Sequence, residues 1–173
     1  MNQLDFDKFL DDDEFDSLLR TISGEPMTRD KILIQLALAT GARAQELLNL
    51  TKRDLISKSR SIKIHGLKGS NDREVPLSKI LYERLENLPT HKFFDVSYQR
   101  LYQIWQEFSP RLQMGGKLKT FHSLRHTCAI RLYKKTKDVK AVQMILGHRD
   151  IRNTMIYVDF VYSQEHLRNV MGV

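Results

Sequence analysis

The sequence predicts a mainly α-helical domain with one small antiparallel β-sheet, an α+β fold. Apolar residues recur at helical spacing over most of the chain, and two short alternating runs near its middle are separated by turn residues. A length of 173 residues suits one domain with a buried core and leaves no room for a second full domain. The chain shows no internal repeat, no low-complexity segment and no proline-rich linker.

Three helices are predicted before the sheet. Residues 11–22 open with an acidic turn, which suits the positive N-terminal end of a helix, and continue with an apolar stripe. Residues 31–40 are almost continuously apolar and indicate a buried helix that Gly41 ends in a left-handed turn. Arg43 follows that turn, and residues 44–50 form a third helical stretch whose leucines face a core.

A β-hairpin and further helices are predicted next. Residues 61–65 and 73–77 alternate apolar and polar side chains around a Gly-Ser-Asn-Asp turn, which predicts a hairpin with Lys68 near its tip. The pattern then returns to helical spacing. The predicted segments are 78–88, 96–113, 123–133, 139–146 and 164–170.

The charge distribution favours a polyanionic partner. The formal net charge is +7, but the first sixteen residues are acidic, and the remainder carries 27 basic against 14 acidic residues. A basic surface attracts nucleic acid because bound phosphates release counterions, although a solvated basic protein without a specific partner fits the charge equally well. No apolar run is long enough for a membrane span, no targeting segment is evident, and Cys128 is the single cysteine, so we expect a cytoplasmic protein without a membrane partner.

Potentially cationic side chains lie at several predicted boundaries and tips. They are Arg43, Lys68, His122, Arg125, His126 and His148. A cluster of such groups without carboxylates suits a phosphoryl transition state, whose charge develops on the nonbridging oxygens. If Tyr157 attacks a phosphodiester, a covalent phosphotyrosine conserves the bond energy and a lysine can protonate the departing sugar oxygen. This chemistry needs neither a metal nor another cofactor, and none is predicted.

The order and spacing of four motifs resemble the tyrosine recombinase, or phage integrase, family over roughly residues 10–160. The motifs are Thr-Gly-Ala-Arg-Ala-Gln-Glu-Leu (40–47), His-Ser-Leu-Arg-His-Thr (122–127), Leu-Gly-His (146–148) and Tyr157, and the run at 68–77 resembles the family's hairpin. The resemblance implies the catalytic-domain fold of that family and a role for each matching residue. It implies Arg43 and Arg125 as phosphate-gripping arginines, His122 and His148 as acid, base or hydrogen-bonding residues, Lys68 as general acid, Tyr157 as nucleophile, and Glu46 and His126 as supporting residues.

The same resemblance implies domain limits and partners. Residues 1–159 are expected to form the catalytic domain, while residues 160–173 form a tail that docks on a neighbouring protomer or, more simply, on its own domain. The N-terminal DNA-clamping domain of the family is expected to be absent from this chain. The implied partners are double-stranded DNA at a specific site and further copies of the chain, as a dimer or tetramer on DNA, with room for accessory DNA-bending proteins.

Several alternatives stay open at this point. A nicking and closing enzyme resembling type IB topoisomerases would use the same chemistry, and a noncatalytic DNA-binding module would use only the phosphate pocket. Tyr162 is the rival nucleophile, and Lys63 and Lys79 are lesser rivals of Lys68. Two further hypotheses are a zinc site formed by His122, His126 and His148 with Cys128, and Cys128 itself as a nucleophile.

Overall fold

The N-terminal part of the molecule is helical. The structure, a computed structural model, describes residues 8–67, 69–110, 118–162 and 164–172. Helix α1 spans Asp12–Ser23, α2 spans Arg29–Thr40 and α3 spans Ala44–Leu48. The cap of α1 is reciprocal, since Asp11 accepts a hydrogen bond from the Glu14 backbone and the Glu14 carboxylate accepts one from the Asp11 backbone. The prediction that α3 continues to residue 50 is wrong, because Asn49 already caps it.

The predicted hairpin is confirmed and belongs to a three-stranded antiparallel sheet in the order β1-β2-β3. The strands are β1 (Leu55–Ile56), β2 (Ser61–Ile64) and β3 (Arg73–Pro76). Ile62 pairs with both Leu55 and Val75, so its side chain lies at the centre of the sheet. Strand β1 follows a 3-10 turn (Lys52–Asp54). It has only two residues, so it is too short for an alternating pattern to show in the sequence.

Six helices follow in the part of the chain that the structure describes. They are α4 (Lys79–Glu86), α5 (Tyr98–Phe108), α6 (Ser123–Thr136), α7 (Val139–Leu146), α8 (Arg152–Val161) and α9 (Gln164–Met171). The mainly α fold class with a small antiparallel sheet is therefore confirmed. Helix α8 was not predicted, and it runs through the domain boundary expected at residue 159. Part of the predicted helix 96–113 lies beyond the described residues, and α5 begins at Tyr98, two residues after its predicted start, with Ser97 as its cap.

Two apolar clusters form the core on either side of α6. The larger one fills the space between α1 to α5 and the sheet, with Leu33 and Trp105 fully buried. The smaller one joins α6, α7 and α8, and it contains Tyr157 and Val161. Helix α6 packs on α2 at one side and on α7 and α8 at the other, so its side chains reach both clusters. Among the described residues, no helix combines the length and apolar character that a membrane crossing requires.

Candidate active site

The turn of the hairpin is tied to the junction between α7 and α8. The Asn71 backbone N–H donates to the Gly147 carbonyl at 2.8 Å, and Ser70 forms an isolated β-bridge with His148. Gly147 has a φ of 69°, and a Cβ there would lie 2.8 Å from the Asn71 carbonyl oxygen, so the close approach requires glycine. The hairpin turn is thereby held against His148. Lys68, the predicted general acid in this turn, lies outside the described residues.

Arg43 stands at the first turn of α3 and is held there by Glu46. Its backbone N–H donates to Glu46 Oε2 at 2.8 Å, and its guanidinium contacts Glu46 Oε1 at 3.5 Å and Ser70 Oγ. The Arg43 side chain remains about one-third exposed, whereas the Glu46 side chain is fully buried. The arrangement presents a fixed guanidinium at the surface above a buried carboxylate.

The same carboxylate binds a second arginine that the sequence analysis missed. Arg73 of β3 donates to Glu46 Oε2 at 2.8 Å and to Glu46 Oε1 at 3.3 Å, and both side chains are buried. Burial acts to raise the pKa of Glu46, but the hydrogen bonds and charge of Arg73, with the Arg43 backbone, outweigh it and lower that pKa. Arg73 alternates in step with Val75 and Leu77, so its side chain lies on the same buried face of the sheet. This alternation is the sequence pattern from which its burial could have been predicted.

Arg125 of α6 is buried between two other helices. It donates from Nη1 to the Gly41 carbonyl at 2.6 Å and from Nη2 to the Leu146 carbonyl at 2.8 Å. These bonds use two of the five N–H donors of a guanidinium and leave the others for an anion. Burial, followed by the charge of Arg43, lowers the pKa of Arg125 to about 10, so the group is cationic at neutral pH.

His148 follows Gly147 and is largely buried. Its Nδ1 lies 2.9 Å from Thr154 Oγ1, which fixes the ring against the first turn of α8. Thr154 is itself fully buried and was not predicted as part of the site. Burial, with the charges of Arg125 and Arg43, lowers the pKa of His148 to about 4, so the imidazole is neutral at pH 7.

His122 and His126 face each other across one turn at the start of α6. Their rings meet edge to face with centroids 4.7 Å apart. Desolvation by neighbouring residues and, next, the charge of Arg125 lower the pKa of His122 to about 4. Part of the His122 side chain is nevertheless exposed to solvent. Burial and the neighbouring His122 lower the pKa of His126 to about 3. Both rings are neutral at pH 7.

Tyr157 of α8 is only 2% exposed and packs in the smaller apolar cluster. Its hydroxyl lies 3.0 Å from His126 Nδ1. Burial raises the pKa of Tyr157 to about 12, although the charges of Arg125 and Arg43 act in the opposite direction. The rival Tyr162 lies at the end of the same helix, 40% exposed, with its ring against Tyr133.

An open pocket of about 410 Å³ gives access to this group of residues. Arg43 and His122 line it, together with Gln45, Tyr98 and Ala42. Arg125 and His148 do not line it, but Arg125 and Arg43 lie close enough to shift the pKa values of both His122 and His148. The predicted residues that the structure describes are therefore brought together from α3, α6, the α7–α8 junction and α8. Within the described ranges, no three His, Cys, Asp or Glu side chains lie close enough together to hold a metal ion, so the structure does not support the zinc-site hypothesis.

The sequence matches the model of the phage integrase family over residues 8–164. The chain belongs to this family. Among curated members it is 33% identical over 147 residues to the tyrosine recombinase XerA of Saccharolobus solfataricus, covering 82% of this chain and 49% of the relative. It is 30% identical over 163 residues to XerA of Thermococcus kodakarensis, covering 86% and 57%. The chain thus spans about half the length of the curated relatives it matches.

Solved structures of the phage integrase family share the fold. A XerH site-specific recombinase bound to its difH substrate superimposes with a TM-score of 0.74 at 25% identity, covering 90% of this chain and 50% of that one. The catalytic domain of bacteriophage HP1 integrase gives a TM-score of 0.69 at 25% identity, covering 95% and 93%. The expected integrase catalytic-domain fold is therefore confirmed.

Proposed function

We propose that this chain is the DNA-cleaving domain of a site-specific tyrosine recombinase, which breaks and rejoins DNA strands through a covalent 3'-phosphotyrosine. The observation that carries the proposal is the proximity of Arg43, Arg125 and His148, since the charges of both arginines act on the histidine, with Tyr157 on the adjoining helix. Two arginines offer several donors to the nonbridging oxygens of one phosphodiester. The matched relatives that are named as tyrosine recombinases support the same chemistry.

In the proposed reaction, the Tyr157 oxygen forms a bond to phosphorus while the bond from phosphorus to the 5' oxygen breaks. The phenol loses its proton to a nearby neutral imidazole, and His148 and His122 are both neutral at pH 7 because their pKa values are lowered to about 4. Lys68 protonates the departing 5' oxygen. Attack by a 5' hydroxyl of the partner strand reverses these steps and releases Tyr157. No metal or nucleotide takes part in the proposed steps.

The buried carboxylate gives the arginines their geometry. Glu46 holds Arg43 through the backbone and the guanidinium, and it is itself held by Arg73. Because Glu46 lies beneath the pocket wall and is neutralised by Arg73, its charge does not face the DNA phosphate. We assign Glu46 and Arg73 to positioning Arg43.

The test is covalent capture on DNA. A library of duplexes and a supercoiled plasmid first identify a cleaved sequence, from which a suicide duplex nicked beside the scissile phosphate is made. The wild type, Tyr157→Phe and the matched control Tyr162→Phe are incubated with this duplex and a chelator and run on a denaturing gel. We expect an adduct with the wild type and with Tyr162→Phe, and none with Tyr157→Phe. An adduct that persists in Tyr157→Phe would overturn the assignment of the nucleophile.

The same chemistry in a nicking and closing enzyme is the alternative function. A plasmid assay separates the two, since relaxation without exchange between two copies of a site would favour the topoisomerase-like activity. A protein that binds DNA and forms no adduct would be the noncatalytic module. Tyr157 lies close enough to Arg43 and Arg125 for their charges to act against the rise of its pKa, which favours the recombinase over that module.

Self-association on DNA is part of the proposal, through the tail. Helix α9 exposes Leu167, Val170 and Met171. On the body, an apolar groove of about 560 Å³ runs between α1, α2, α4 and α6, with Leu19, Leu38, Ile80 and Leu132 among its lining. We propose that the groove receives α9 of a second copy, because one copy leaves both apolar surfaces exposed to solvent.

Truncation after Tyr162 tests the exchange and spares Val161, which is buried with Tyr157. Sedimentation of the protein on duplex DNA should show dimers or tetramers with the full chain and monomers with the truncation. Ile80→Asp changes the groove at a residue that is 60% exposed, so it should weaken assembly without harming the fold. Unchanged assembly in either variant would refute the exchange and leave docking of α9 on its own domain. Accessory DNA-bending proteins and a cytoplasmic location remain part of the proposed setting.

A further inference from the structure

A hydrogen bond joins Tyr157, the proposed nucleophile, to a histidine on another helix. The Tyr157 hydroxyl of α8 lies 3.0 Å from Nδ1 of His126 on α6, and the two ring centroids are 5.7 Å apart. The Tyr157 side chain also packs in the smaller apolar cluster, which contains Ile130, Val142 and Leu146. His126 is therefore the polar partner that the structure gives to a buried phenol.

Both partners of this bond are neutral at pH 7. Burial raises the pKa of Tyr157 to about 12, so the phenol carries its proton at neutral pH. Burial and His122 lower the pKa of His126 to about 3, so its ring is neutral and has one acceptor nitrogen. The phenol donates to Nδ1 in the tautomer that carries the imidazole proton on Nε2, and in the other tautomer Nδ1 donates to the phenol oxygen.

Tyr157 does not line the pocket. The pocket opens beside Arg43 and His122, whereas Tyr157 lies in the smaller apolar cluster, almost without exposure. Attack on a phosphodiester in the pocket would therefore require the phenol to leave its buried position. His122, which lines the pocket, packs edge to face on His126. His126, the hydrogen-bond partner of Tyr157, is therefore separated from the pocket by the His122 ring.

We propose that His126 is a positioning residue that holds Tyr157 withdrawn in the DNA-free protein through the hydrogen bond to Nδ1. This inference rests on the proposed function, because withdrawal has a meaning only if Tyr157 is the nucleophile. Release of the bond is the step that makes the phenol available. His126 does not itself need to touch the reacting phosphate.

The test measures the accessibility of Tyr157 without DNA. The folded protein is treated with tetranitromethane, and the nitration of Tyr157 is divided by that of Tyr162, an exposed reference on the same helix, by mass spectrometry of peptides. His126→Leu removes the hydrogen-bond partner. His126→Asn places an amide near the position of Nδ1 and keeps a hydrogen-bonding group there. Val161→Ala loosens the same cluster without touching the bond and is the packing control.

We expect a low ratio in the wild type and in His126→Asn, and a ratio at least about fivefold higher in His126→Leu, the factor that corresponds to loss of a typical hydrogen bond. Circular dichroism and thermal unfolding confirm that each variant is folded, so a raised ratio does not come from global opening. A wild-type ratio in His126→Leu, or an equal rise in Val161→Ala, would overturn the proposal, because packing alone would then hold Tyr157. Absence of the covalent adduct in the wild type would defeat the proposed function and leave the nitration result standing.

Discussion

Neutralising Glu46 should destabilise the domain far more than neutralising an exposed glutamate. In Glu46→Gln the buried Arg73, which is 8% exposed, keeps its charge and loses its carboxylate partner, and its Nε already has no hydrogen-bond partner among the described residues. Removing one member of a buried ion pair costs about 3–5 kcal/mol. Since the glutamine oxygen can still accept one bond from Arg73, we expect about 3 kcal/mol, the lower end of that range.

The assay is urea unfolding followed by circular dichroism at pH 7. Glu83→Gln is the matched control, because Glu83 and Lys79 form an exposed pair at 3.8 Å and such pairs contribute about 0.5 kcal/mol or less. The double variant Glu46→Gln with Arg73→Met removes both buried charges. We expect it to recover about 2 kcal/mol relative to the sum of the two single losses, since neither charge is left unpaired.

Two results would refute this reasoning. A loss below about 1 kcal/mol in Glu46→Gln would mean that water or another group compensates Arg73, as at an exposed pair. Additive losses in the double variant would mean that Glu46 and Arg73 do not stabilise each other. In either case the assignment of the pair to positioning Arg43 would lose its energetic basis.

Three further expectations use unfolding measurements on single variants. Gly147→Ala should lower the free energy of unfolding by about 1–3 kcal/mol in urea, because residue 147 has a φ of 69° and the new Cβ would lie 2.8 Å from the Asn71 carbonyl oxygen. A loss below about 0.5 kcal/mol, which is typical of surface substitutions, would contradict this expectation. The pKa of His148 is about 4 in the folded protein and 6.5 in the unfolded chain, so the free energy of unfolding should fall by about 3 kcal/mol as the pH falls from 6.5 to about 4. His148→Gln should remove that part of the pH dependence of the unfolding free energy. An unchanged pH dependence would argue against burial of the ring. Lys119→Met should cost about 3–5 kcal/mol, because Lys119 Nζ lies 2.6 Å from Glu14 in the interior and also donates to the Phe9 carbonyl, and methionine makes neither contact; wild-type stability would show that these contacts do not stabilise the fold.

Where a pattern had enough length, the sequence predicted the fold correctly. The alternation at 61–65 and 73–77 predicted the hairpin, and Gly41 ends α2 in the left-handed region as its position indicated. Strand β1 has too few residues for any periodicity. Helix α8 was missed because β-branched residues and an asparagine weaken its local helical preference, and packing against α6 and α7 stabilises it instead.

The site was predictable only in its motif residues. Arg43, Arg125, His148 and Tyr157 were singled out by spacing and order, and the structure brings them to one place. Arg73 was passed over because an arginine in a strand is usually solvated, even though its parity was that of the buried face. The burial of Tyr157 and its bond to His126 depend on how two separate helices pack, which a single sequence does not encode in any local pattern.

The two carbonyl groups that hold Arg125 have an electrostatic consequence for the pocket. Gly41 is the C-cap of α2 and Leu146 is the last residue of α7, so the guanidinium lies where two helix macrodipoles present their negative ends. Each end carries about half an elementary charge, which favours the cationic form of the buried arginine, and the charge of Glu46 acts in the same direction. A carboxylate in place of the two carbonyl groups would carry a full negative charge and would repel an incoming phosphodiester more strongly. Because a helix is neutral as a whole and its end carries only part of a charge, the guanidinium keeps its positive charge for an anion while its side chain stays buried.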